Sequence, residues 1–71
     1  MEIIKGKDKG KIVKIIQFCN DWFTADNGKV YSVFQIQLTS EERFKVANDN
    51  NTGMMFDRFR LLNDGRFIKK E

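Results

Sequence analysis

The chain has no histidine, no proline and a single cysteine, Cys19. Each scarcity removes a class of chemistry. Without histidine there is no side chain that ordinarily changes charge near neutral pH, so a proton shuttle of that kind is excluded. One thiol forms no intrachain disulfide. A zinc site would have only Cys19 and carboxylates to draw on, so no metal and no cofactor is expected. A lone thiol also suits a reducing compartment. No apolar run approaches the ~20 residues that cross a bilayer. The opening Met1-Glu2-Ile3-Ile4-Lys5-Gly6-Lys7 turns charged too soon for a signal peptide. The expectation is a cytoplasmic protein with no membrane partner.

What is present argues for one folded domain. Hydrophobic residues make up 41% of the 71 and charged residues 32%, a balance that argues for a folded domain rather than disorder. So short a chain buries only roughly 60% of its unfolded surface. Its seven phenylalanines must therefore supply much of the core. The net charge of +3 is mild and permits a nucleic-acid partner without demanding one.

Residues 1–9 read as a flexible basic arm, 10–68 as the folded unit and 69–71 as a charged tail. Lys5, Lys7, Lys9, Lys11 and Lys14 crowd a segment that also holds Gly6 and Gly10. Ile12–Phe18 is rich in β-branched residues and reads as a first strand. Cys19–Gly28 reads as the longest connection, with turn signals at Asn20-Asp21 and Asp26-Asn27-Gly28. Trp22 and Phe23 inside it either fold inward to plug the core or form an exposed contact patch.

The stretch from Asp26 to Phe59 organises the chain as three strands of one antiparallel sheet. Lys29–Leu38 reads as one long strand, with Phe34, Ile36 and Leu38 on one face and Gln35 and Gln37 on the other. Thr39 and Glu42 have the spacing of a capping box, which would open a helix to Ala47. The alternation Arg43-Phe44-Lys45-Val46 favours a strand instead. Asn48–Thr52 then reads as a hairpin loop, Gly53–Phe56 as a short strand and Asp57-Arg58-Phe59 as a tight turn. Arg60–Leu62 and Arg66–Ile68 make a final hairpin about Asn63-Asp64-Gly65, and the lysines after it discourage edge-to-edge pairing.

Five or six short strands in a chain of this size predict an all-β, antiparallel, single-domain barrel. The order of elements resembles the small SH3-like barrel proteins of bacteriophages. The resemblance rests on Gly28-Lys29-Val30-Tyr31-Ser32-Val33, on Val46-Ala47-Asn48-Asp49 followed by a glycine turn, and on Phe56-Asp57-Arg58-Phe59. It covers about residues 10–62 and implies a five-stranded SH3-like barrel of viral origin with no catalytic residues. Lys9-Gly10-Lys11-Ile12-Val13 is also similar to the end of the KOW motif of ribosomal and transcription-factor barrels, without the strand that precedes it there.

Catalysis has little to work with. Gly6 and Gly10 lack the spacing of a phosphate-binding loop. Cys19 has no visible base and reads as a small buried residue. The protein is thus expected not to be an enzyme. Two binding readings remain. In the favoured one Trp22, Phe23 and Tyr31 anchor a protein partner, with Lys29 and Arg58 at the rim; the resemblance makes that partner a host protein whose activity is modified. In the alternative, Lys5, Lys7, Lys9, Lys11, Lys14, Arg43, Lys45 and Arg60 meet nucleic-acid phosphate while an aromatic stacks on bases. A homodimer through the edge strand Arg66–Ile68 is compatible with either.

Overall fold

The computed structural model describes residues 1–49 and 55–70. Its strands are β1 (Glu2–Ile3), β2 (Ile15–Cys19), β3 (Trp22–Ala25), β4 (Val30–Ser32), β5 (Ile36–Gln37), β6 (Phe59–Leu61) and β7 (Phe67–Lys69). A 3-10 turn at Val33–Gln35 separates β4 from β5; two helical pieces, α1 (Ser40–Ala47) and α2 (Met55–Arg58), lie between β5 and β6. Every ladder is antiparallel. They form three small sheets, β1-β5, β2-β3-β4 and β6-β7, around one core.

The core draws on both ends of the chain. Ile3, Phe23, Ile36 and Met55 are fully buried, and Phe67 is 5% exposed. Phe23 is the hub: its ring lies 5.7 Å from that of Phe18 and 5.9 Å from that of Phe67. The segment expected as a solvated arm therefore begins inside the protein. Met1 and Ile3 are buried, β1 pairs with β5, and the Ile3 and Val13 N–H groups donate to Lys11 O and Met1 O, both at 2.9 Å. Two apolar side chains outweigh the charge of the lysines that follow, which stay in solvent.

Trp22-Phe23 lies in a strand, not in a loop. The real turn before it is only Asn20-Asp21, with Asn20 at φ 52°, a left-handed position that Asn tolerates.

Lys29–Leu38 is not one strand either. The Ser32 N–H donates to Gln35 Oε1 at 3.0 Å and closes a 3-10 turn. That turn shifts the pleat by one residue. Tyr31, Val33, Ile36 and Leu38 point inward, and Phe34, expected on the inner face, is 38% exposed.

The capping box wins over alternation at residues 40–47. Glu42 N–H donates to Thr39 Oγ1 at 3.2 Å and Thr39 N–H to Glu42 Oε1 at 2.9 Å, which fixes α1 as a helix rather than the expected strand. Partial burial pulls the Glu42 carboxyl up; hydrogen bonds from the Met1 amino group and Thr39 outweigh it and hold the group below its ordinary range.

Met55 and Phe56 form the start of α2, not a strand. Gly53 and Met54 of that expected strand, and Asn50–Thr52 of the expected loop, lie outside the described residues. The final hairpin is found where the turn residues put it. It is docked by its turn: Leu38 N–H donates to Gly65 O at 2.9 Å and Gln37 Nε2 to Asp64 O at 2.7 Å. The expected tail begins inside this hairpin, since Lys69 belongs to β7 and Lys70 N–H donates to Arg58 O at 2.9 Å.

Candidate interaction surfaces

The loop before β2 folds around Asp8. Its Oδ2 accepts from the Tyr31 hydroxyl at 2.7 Å and from Lys29 Nζ at 2.9 Å, and its Oδ1 lies 3.3 Å from Lys11 Nζ. Asn27 Nδ2 donates to the Tyr31 oxygen at 3.0 Å. Hydrogen bonds from Tyr31 and then Lys29 hold the Asp8 carboxyl far below its ordinary value, against the partial burial that raises it. The same contact with Asp8 raises Lys29. Two of the expected partner anchors are thereby spent inside the molecule: Tyr31 is buried and Phe23 fully so. Lys29, expected at the rim, is tied to Asp8.

Trp22 has the opposite fate. Phe23 and Ala25 face the core, so Trp22 and Thr24 of β3 face outward. The register carries that outer face across the sheet as two rows, Cys19–Trp22–Ser32 and Gln17–Thr24–Val30. A bulge between Ile15 and Gln17 adds Ile16. None of these residues is charged. Ile16 is 64% exposed and Val30 59%. The sequence points to Trp22 as an anchor but not to this neutral, partly apolar sheet face, because its turn residues place Trp22 in a loop and the apolar run Ile12–Phe18 does not show which way Ile16 faces.

The cations are dispersed. Lys7 and Lys9 stand exposed on the Asp8 loop. Lys14 and Lys45 line a cavity of about 460 Å³ with Glu41 and Glu42, and Lys45 pairs with Glu41 at 3.6 Å. Arg43, Arg60 and Lys70 line another of about 340 Å³ together with Phe56 and Phe59. There the Arg43 Nε is buried with no hydrogen-bond partner among the described residues, while its Nη1 donates to Asn63 Oδ1 at 3.3 Å. Lys5 joins Arg66 and Lys69 at a groove of about 310 Å³ along β7. Arg58 is exposed beside Phe59, Lys69 and Lys70.

The expected set of basic residues is therefore split over several places rather than gathered around one aromatic. The sequence signal for the β7 groove is the run Arg66-Phe67-Ile68-Lys69-Lys70, which shows a strand and its guarding lysines but not the groove beside them.

Among the described residues no group of His, Cys, Asp or Glu is arranged to hold a metal ion, and no helix is long and apolar enough to cross a membrane. No protein-family model, curated protein or solved structure matches the chain.

Proposed function

We propose that the chain is a non-catalytic binding protein whose partner is another protein, docked on the outer face of the β2-β3-β4 sheet. One observation carries this reading. Ile16, Trp22 and Val30 stand on a sheet face whose rows carry no charged residue, with Asp49 lining the cavity beside Ile16, Gln17 and Cys19, while the cations lie elsewhere and partly in ion pairs. A phosphate-binding surface calls for the reverse arrangement. Trp22 is the natural anchor, with a large apolar body and an indole N–H to place at an interface. The complementary partner surface is apolar and uncharged.

The antiparallel strands around a single core support reading the three sheets as an interrupted SH3-like barrel. The sequence resemblance to bacteriophage barrels then makes a host protein, in the host cytoplasm, the partner class. A second reading has its own support. Arg43, Arg60 and Lys70 line one cavity together with Phe56 and Phe59, cations beside aromatics as a nucleic-acid strand calls for.

The test compares the wild-type chain with Ile16→Lys/Val30→Lys in capture from a bacterial lysate. It is paired with anisotropy titrations of duplex DNA, single-stranded DNA and RNA across a salt series. Loss of one captured protein in the double variant, with no nucleic-acid binding at low salt, is the expected result. Nucleic-acid affinity that falls steeply with salt, or capture that survives the double variant, overturns the protein-partner reading.

A further inference from the structure

The β6-β7 hairpin leaves one of its edges facing a groove. Lys70 N–H donates to Arg58 O and Leu62 N–H to Arg66 O. With Phe59 opposite Lys69 and Leu61 opposite Phe67, these bonds set the phase of the ladder. Arg60 and Ile68 face each other as a hydrogen-bonded pair, while Phe67 and Lys69 fall at the alternate positions. The N–H and C=O groups of Phe67 and Lys69 therefore point away from β6. Among the described residues β7 has no second neighbour in its sheet, and no backbone group bonds to that edge.

The groove alongside is shaped by Ile4, Phe34, Ile36 and Ile68, with Lys5, Arg66 and Lys69 at its rim and no carboxylate among its lining residues. Lys5 and Lys69 form no ion pair with any described residue; Arg66 uses its Nε on Asp64 at 2.7 Å. The site thus offers three things together: a strand edge with unpaired backbone groups, an apolar bed, and cationic rims.

We propose that an extended acidic segment of a partner protein adds to β7 as a further antiparallel or parallel strand, alternating apolar residues with Asp or Glu. Backbone hydrogen bonds supply the affinity and the alternating side chains the selectivity. The apolar side chains enter the groove beside Ile4, Phe34 and Ile68, and the carboxylates reach Lys5, Arg66 and Lys69. A second copy of this chain is the wrong occupant. The segment Arg66-Phe67-Ile68-Lys69-Lys70 carries three cations and no anion, so pairing it with itself sets like charges across the ladder. This surface is separate from the face of β2-β3-β4, and neither Ile16 nor Val30 lines it.

The experiment is selection from a library of random short peptides on the immobilised chain, followed by anisotropy on the winner, on its N-methylated form and on single-stranded DNA. Enrichment of alternating acidic sequences is expected. Binding should weaken at least about tenfold in Lys5→Glu/Lys69→Glu and when the peptide amides facing β7 are N-methylated. The Phe67 and Lys69 amides should gain protection from hydrogen exchange in the complex, and Ile16→Lys/Val30→Lys should change nothing. Selection of no peptide, or of peptides without acid, overturns the proposal. So does equal binding of the N-methylated peptide, which would leave charge alone at work. Tighter binding of single-stranded DNA at the same groove, or a dimer lost on Lys69→Glu, assigns the edge to another occupant.

Discussion

The Tyr31 hydroxyl donates to the Asp8 carboxylate at 2.7 Å across 23 residues of chain, and so pins the lysine-rich loop to β4. The bond joins a buried ring to a carboxylate that also holds Lys29 and Lys11. Removing the hydroxyl keeps the ring's packing and leaves Asn27 without its acceptor. Tyr31→Phe is expected to lower Tm by about 4–8 °C, the scale of one such bond in a domain of this size. Calorimetry or circular dichroism checks it, and an unchanged Tm would show that the loop is held by the lysines and its backbone bonds, such as Gly10 N–H to Ile3 O at 2.7 Å, without this hydroxyl.

Acid should loosen the fold through the same group. Asp8, Asp64 and Glu42 all sit below their ordinary values of 3.8, 3.8 and 4.5 when folded. Groups depressed in the folded state stabilise it fully above their unfolded values, and the contribution is lost as pH falls through the folded ones. Tm is therefore expected to be level from neutrality down to about pH 5 and to decline below it. In Asp8→Asn the decline should be shallower and the neutral Tm lower. A Tm that rises on acidification contradicts the account.

Gly65 closes the final hairpin at φ 93°, and a Cβ there would overlap the Leu38 carbonyl oxygen. Backbone on both sides leaves nothing flexible to give way. Gly65→Ala should cost at least about 3 kcal/mol, combining left-handed strain with that overlap. Chemical denaturation measures it. Gly28→Ala, at φ 82° with nothing near its would-be Cβ, should cost less.

Thr39→Ala removes the side chain that caps α1. The expected loss is about 1 kcal/mol, because one helix-end N–H loses its partner. Thr39→Ser should retain most of the stability. A Thr39→Ala variant as stable as the wild type would show that the packing of Val46 and the bond from the Met1 amino group to Glu42 hold α1 without the cap.

The strand-rich, antiparallel character is legible in the sequence because β-branched and aromatic residues, bounded by turn residues, signal it locally. Asn63-Asp64-Gly65 was readable for the same reason: a turn type depends on a few adjacent residues. Failures came where a local pattern had two solutions. Arg43–Val46 alternates like a strand, yet Thr39 and Glu42 satisfy two helix-end donors at once. Lys29–Leu38 alternates too, but Gln35 bends back onto Ser32. Phe23 reads as either a core plug or an anchor, and Tyr31 as an anchor, because a residue's depth depends on distant neighbours, here Phe18 and Phe67 for the one and Asp8 for the other. The two surfaces singled out for partners depend on a bulge and a ladder phase, which sequence spacing does not reveal.

The sharing of one core between Ile3 and Phe67 bears on how the chain is made. During synthesis Phe23 and Ile36 emerge before the strand that covers them exists. No shorter N-terminal piece has the material to enclose them, so the core closes only when Phe67 has left the ribosome. Until then the nascent chain carries uncovered aromatic surface, and its protection from other nascent chains falls to rapid synthesis or to chaperones.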